Sequence, residues 1–110
     1  MVDIFKALSE ESRLRILSLL MDKEMCVCEI ESCLKMSQSN ASRHLMALRN
    51  CGILSSYKKA QWAYYKIDES FVSKNADLWK FLQINLRELP TYQEDYRQSE
   101  FCRGQDCCNT

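Results

Sequence analysis

The stretch from Met25 to Gly52, M-C-V-C-E-I-E-S-C-L-K-M-S-Q-S-N-A-S-R-H-L-M-A-L-R-N-C-G, constrains the fold more than any other. Val27, Ile30 and Leu34 recur at helical spacing, and Ala41, Leu45 and Leu48 repeat the pattern after the break at Lys35-Met36-Ser37. That break holds neither glycine nor proline. Ser37 stands where an N-cap belongs, and Gly52 where a helix is closed. Two amphipathic helices joined by so short a turn predict a helix-turn-helix.

At about 100° per residue the second helix has two distinct sides. Ala41, Leu45 and Leu48 share one, with His44 and Cys51 at its border. Ser39, Arg43, Met46 and Asn50 share the other, with Ser42 and Arg49 at its edge. Hydroxyls, an arginine and an amide near a helix N-terminus suit phosphates and base edges. An isolated helix with such a face would be merely solvated, so the residues that follow matter. Ile53 to Tyr57 and Trp62 to Ile67 are rich in aromatic and β-branched residues around a polar centre, Lys58-Lys59-Ala60-Gln61. This predicts a β-hairpin with a basic tip, which beside a helix-turn-helix reads as a wing.

The 110 residues suffice for one domain with a modest core. Fifteen basic residues balance fifteen acidic ones, so a nucleic-acid partner would have to be met by local clusters of charge. No apolar run has membrane-spanning length and no signal-peptide pattern opens the chain, which predicts a cytoplasmic protein without a membrane partner. Seven cysteines without an export signal favour reduced thiols over a disulfide framework. Residues 2–8 form a short amphipathic segment, and Ser9 is expected to cap a helix carrying Leu14, Leu17, Leu20 and Met21 inward. From Ser70 to Leu89 one long helix is expected, ended by Pro90, with Leu78, Phe81, Leu82, Leu86 and Leu89 along a stripe. So broad an apolar surface, with residues 2–8, predicts a homodimer interface. Two units are expected: residues 1–90 for DNA binding and dimerisation, and residues 91–110 as a flexible cysteine-containing tail.

Taken together, L-S-E-E-S-R-L-R-I-L-S-L-L (8–20), M-C-V-C-E-I (25–30), S-Q-S-N-A-S-R-H-L-M-A-L-R-N-C-G-I-L (37–54) and W-A-Y-Y-K-I (62–67) resemble the ArsR/SmtB family of metal-responsive repressors. The resemblance covers most of residues 4–67 and implies a mainly α, homodimeric winged helix-turn-helix that blocks operator DNA until a metal or metalloid binds. Gln38, Ser39, Ser42 and Arg43 are then the expected DNA-facing residues, with Lys58 and Lys59 on flanking phosphates. The wing departs from the family's Arg-x-Gly-Arg, reading Lys59-Ala60-Gln61 at its tip. It loses a glycine and an arginine, and lysine lacks the bidentate guanidinium fork.

Cys26-Val27-Cys28 resembles the family's metalloid-sensing motif. Thiolates are soft ligands, suited to As(III) or Sb(III) and to Cd(II), Pb(II) or copper(I). Two residues apart on an ideal helix point nearly opposite ways, so Cys26 must lie in the preceding turn if both sulfurs are to converge; otherwise the two are simply buried thiols. Arsenical repressors place another cysteine where this chain has Glu31. Cys33 is two turns, roughly 10 Å, from Cys26 and is expected in the core, as is Cys51. Cys102, Cys107 and Cys108 remain as further ligands: a separate site, a thiol lent to Cys26 and Cys28, or an oxidisable tail. His44 is expected to pack or to touch a phosphate, and as the one histidine it excludes the family's histidine-based zinc site. Two rival functions are a redox-sensing repressor of the same fold and a small thiol-dependent enzyme. The latter lacks both Cys-x-x-Cys and a βαβ pattern to carry it.

Overall fold

The computed structural model describes residues 1–103, with side chains through residue 101. The elements in chain order are α1 (Val2–Leu8), α2 (Glu11–Leu20), β1 (Met25–Cys26), α3 (Val27–Leu34), α4 (Gln38–Asn50), β2 (Leu54–Lys59), β3 (Trp62–Ile67), α5 (Glu69–Lys74), α6 (Ala76–Leu86) and α7 (Tyr92–Arg103). The expected mainly α architecture with a β-hairpin wing is the one observed. Ile16 and Leu17 of α2, Ile30 of α3, Leu45 and Leu48 of α4, and Ile53 form its solvent-free centre. Truncating any of these leucines to alanine removes about 2–5 kcal/mol of stability.

The turn between α3 and α4 works without glycine because Lys35 itself takes the left-handed conformation (φ 56°, ψ 45°). The N–H groups of Lys35 and Met36 both reach the Glu31 carbonyl, which closes α3 in one step. Ser37 then caps α4 as expected, its hydroxyl accepting from the Asn40 N–H at 3.2 Å. Gly52, at φ +89°, turns the chain out of α4 toward the wing. The expected cap at Ser9 is not made: its hydroxyl donates back to the Lys6 carbonyl (2.6 Å), so Ser9 ends α1 and Glu10 precedes α2.

The wing's strands run further than their composition implied. Lys59 pairs with Trp62, so the lysines belong to β2 and the loop is only Ala60-Gln61. Ala60 supplies the positive φ (58°) that a two-residue hairpin needs and that glycine would meet without strain. Met25 and Cys26 pair antiparallel with Tyr65 and Tyr64, adding a third strand in the order β1-β3-β2. Tyr57 and Tyr64 stack across the hairpin, and the Tyr57 hydroxyl bonds the Glu24 carboxylate.

Two expectations for the C-terminal third are corrected. The single helix over 70–89 is broken at Asn75, whose side-chain amide donates to the Phe71 carbonyl and whose backbone (φ −130°, ψ 47°) leaves the helical region. The break turns α6 so that Trp79 meets Phe71 edge-on. Residues 92–103, expected within a flexible tail, form α7, which packs on α2 and α3. Its docking is polar. Asp95, 2% exposed, accepts two bonds from Arg15 at 2.8 and 2.9 Å, and Ser99 accepts from Lys23 at 3.1 Å. Residues 104–110 lie outside the described residues.

Asp95→Ala leaves Arg15 facing an empty partner and is expected to cost roughly 2–3 kcal/mol in urea unfolding, less than a fully enclosed pair because Arg15 keeps some solvent. Amide exchange should rise over 92–103 first, with α4 still protected. Ala60→Gly should act in the opposite direction, raising stability by about 1 kcal/mol in the same measurement.

Candidate nucleic-acid interface and sensor cavity

Burial of Ala41, Leu45 and Leu48, each 0% exposed, leaves α4 only one side to present. Gln38, Ser39 and Arg43 on that side are exposed and Ser42 is half-buried. Arg49 donates to Ser56 Oγ (3.4 Å), tying the end of α4 to the wing. Lys58 and Lys59 are exposed at the end of β2. All six residues expected to face DNA therefore reach solvent, in two groups set by one helix and the hairpin beside it.

The Cys26–Cys28 pair borders this surface, in a cavity shared with Gln38 and Ser42. Cys26 ends β1 with an extended backbone (φ −83°, ψ 161°) and serves as the residue before α3, while Cys28 is already helical. That is the preceding-turn position the spacing required, and the two Sγ atoms converge to 2.7 Å. The Glu29 carboxylate accepts the Cys26 N–H at 2.9 Å and holds the junction. Both cysteines line a cavity of about 380 Å³ with Glu31 from α3, Gln38 and Ser42 from α4, and Gln61, Trp62 and Tyr65 from the wing. Among the described residues no cluster of three or more His, Cys, Asp or Glu is arranged to hold a metal, so the pair supplies two soft donors.

Other cysteines fall elsewhere. Cys33 is buried on the far side of α3 with its thiol toward the Gln98 carbonyl (3.6 Å), and Cys51 is half-buried with its thiol toward the Leu48 carbonyl (3.4 Å). Cys102 belongs to the last turn of α7, with its side chain outside the described residues; Cys107 and Cys108 lie outside them altogether.

His44 is 5% exposed and sits in a network that the sequence concealed, because Glu10, just before α2, and Arg13 of α2 are more than thirty residues away. Its Nδ1 is 3.2 Å from Glu10 Oε2 and 3.2 Å from Arg13 Nε; its Nε2 is 3.4 Å from Arg43 Nη2. Burial lowers its pKa from the usual value, Arg43 and Arg13 push the same way, and Glu10 opposes them.

On the other side of the molecule, Phe5 of α1 and Phe81 and Ile84 of α6 are exposed at 55%, 60% and 54%. Phe5 and Phe81 border an apolar cavity of about 280 Å³ floored by Leu8, Leu14, Leu82 and Leu86. Leu82 and Leu86, expected on the outer stripe, are spent in the monomer's own core, as is Trp79.

A helix-turn-helix with a hairpin wing and an exposed polar recognition face defines a DNA-binding regulator rather than an enzyme. Residues 10–56 match the family described as bacterial regulatory protein, arsR family. The chain is 43% identical over 65 residues to the arsenic resistance transcriptional regulator ArsR1 of Pseudomonas putida, covering 58% of this chain and only 51% of that protein. It is 42% identical over 88 residues to ArsR2 of the same organism, covering 77% and 72% respectively. Among solved structures, the homodimeric winged helix-turn-helix domain Mb0332 of Mycobacterium bovis superposes with a TM-score of 0.67 at 30% identity, covering 81% of this chain and 80% of that one. The chain belongs to the arsR family of transcriptional regulators. No helix among the described residues is long and apolar enough to cross a membrane.

The lowered pKa of His44 has a definite thermodynamic sign. In the range where the unfolded ring takes a proton and the folded one does not, the unfolded state is favoured. The stability from keeping His44 neutral is complete above about pH 6.5 and is lost as pH falls through that value and through the lower folded one. Unfolding temperature should therefore drop more between pH 7.5 and 5.5 in the wild type than in His44→Gln, by scanning calorimetry.

Proposed function

We propose that this chain is a homodimeric repressor of a metal(loid)-resistance operon, released from its operator when As(III) or Sb(III) binds Cys26 and Cys28. The observation that carries this reading is the shared cavity: the two thiols, the first turns of α4 and the root of the wing's loop line one space. An ion bridging the sulfurs acts where the recognition helix and wing are held together. Cd(II) and Pb(II) satisfy the same soft donors, and a third thiolate would come from Cys102, Cys107 or Cys108, since Glu31 replaces the cysteine expected beside the pair.

On DNA, Gln38, Ser39, Ser42 and Arg43 would read the major groove, and Lys58 and Lys59 would hold flanking phosphates. Dimerisation through Phe5, Phe81 and Ile84 would set two recognition helices about 34 Å apart, one turn of duplex. A coupling of a few kcal/mol between inducer and DNA is enough for release. The close approach of the sulfurs also favours a second reading, in which a peroxide takes two electrons and the thiols lose two protons to become a disulfide.

The test is fluorescence anisotropy of the reduced protein on its own promoter fragment, titrated with arsenite and separately with hydrogen peroxide. Arg43→Ala should bind at least tenfold more weakly while remaining a folded dimer. Arsenite should release the wild type and Cys107→Ser/Cys108→Ser but leave Cys26→Ser/Cys28→Ser bound. Release of the wild type by peroxide alone would favour the redox reading, and loss of response only in the tail variant would move the sensor to the C-terminus.

A further inference from the structure

We propose that Met46 is a base-reading residue: its thioether side chain packs on the C5-methyl group of one thymine in each operator half-site. The inference rests on the reading of α4 as the helix that enters the major groove, and adds to its polar contacts an apolar one that selects a base.

Met46 stands at the middle of the exposed side of α4. At about 100° per residue it falls between Ser42 and Arg43 around the axis, with Ser39 and Asn50 within about 40° of it. Ser39, Arg43 and Asn50 are exposed, and Met46 itself keeps 46% of its surface in solvent. The other large apolar side chains of α4, Leu45 and Leu48, have none. The exposed Phe5, Phe81 and Ile84 lie together on the other side of the molecule, where they have one another as neighbours. Met46 has only hydroxyls, an amide and a guanidinium beside it on its own face.

A single exposed methionine is ordinary on most surfaces. At the centre of a groove-facing side it cannot be inert, because whatever stands there is pressed against base edges. Lysine or glutamine would serve the helix as well, and lysine would add attraction to phosphates. Methionine brings neither charge nor a strong hydrogen bond, only apolar area on an unbranched, adaptable chain. The thymine methyl is the apolar feature of the major-groove edges; the rest of what they present is donors and acceptors. Against cytosine or guanine the thioether would displace water from polar groups and leave them unpaired. Against thymine it removes two apolar surfaces from water together. Met46 also lies three residues beyond Arg43, about 4.5 Å along the axis, close to the roughly 3.4 Å step between base pairs. The arginine and the methionine would therefore meet neighbouring pairs.

Exchanging thymine for deoxyuridine deletes the methyl and keeps every hydrogen-bonding group, which makes it the direct probe. Anisotropy is measured with the reduced protein on its promoter fragment, deoxyuridine replacing one symmetry-related pair of thymines at a time. Wild-type affinity should fall about fourfold per half-site at one such position, the equivalent of one buried methyl group. Met46→Gln keeps the length and helix propensity of the side chain. It should bind the thymine operator about fourfold more weakly per half-site and no longer distinguish thymine from deoxyuridine at that position. Urea unfolding and sedimentation should leave this variant indistinguishable from wild type. A wild type indifferent to the methyl at every position overturns the proposal, and that scan decides even without the variant. So does a glutamine variant that keeps the full preference for thymine. Arg43→Ala separates the two levels: full affinity in that variant defeats the DNA-facing assignment of α4, whereas lost affinity there beside a methyl-indifferent wild type defeats only the methionine contact.

Discussion

The pairing of Met25 and Cys26 with Tyr65 and Tyr64 is the contact on which the functional geometry depends. It is only two residues long, yet it fixes three things together. It holds Cys26 extended, so that the following residue can begin α3 and Cys28 can swing its sulfur back to meet that of Cys26. It joins the wing to the start of the helix-turn-helix, making the hairpin part of a three-stranded sheet instead of a free two-stranded ribbon, which is marginal by itself. It also closes one wall of the cavity that the thiols share with Gln38, Ser42 and Trp62. Without the strand, the Cys-x-Cys spacing on a continuous helix would point its sulfurs apart.

The recognition helix gets its orientation from packing instead. Two leucines with no solvent exposure contribute about 1.5–3 kcal/mol each to holding α4 against α2 and α3, enough to fix which side faces outward. The polar contacts at its rim, Arg49 to Ser56 and Arg43 to His44, are individually weaker, and they act on side-chain direction. Apolar burial sets the helix and hydrogen bonds set the side chains at its surface.

That division explains what was legible in the sequence. The helix-turn-helix and wing could be read because their periods, 3.6 and 2, are written in apolar residues: Ala41, Leu45 and Leu48 on one side of α4, aromatic and β-branched residues along the hairpin. The convergence of Cys26 and Cys28 was also legible, as a geometric condition on where α3 begins. α7 was not, because its docked face carries Asp95 and Ser99 at helical spacing, residues that look solvent-facing until Arg15 and Lys23 are seen opposite them. Nor was the break at Asn75, since an asparagine that bonds the carbonyl four residues back is indistinguishable in sequence from a solvated one. The His44 network was hidden for the same reason: Glu10 and Arg13 meet it only through the packing of α2 on α4.

The polar devices that the sequence hides share one property relevant to a switch. Apolar packing changes little with pH or ligand, whereas each of these contacts joins elements through one or two charged or hydrogen-bonding groups. Asp95 of α7 takes a bidentate pair from Arg15 of α2, and His44 of α4 accepts from Arg13 of the same helix. Helix α2 thus packs against both α3, which carries Cys28, and α4. On the proposed reading, a shift of α3 when Cys26 and Cys28 bind an inducer would have two routes to α4: directly, through the short turn at Lys35, and indirectly, through α2. Helix α2 is itself anchored in the core by Ile16 and Leu17, both without solvent exposure. The direct route is three residues long, and on the reading proposed here it carries the larger share of the coupling, with α2 setting the resting position from which α4 departs.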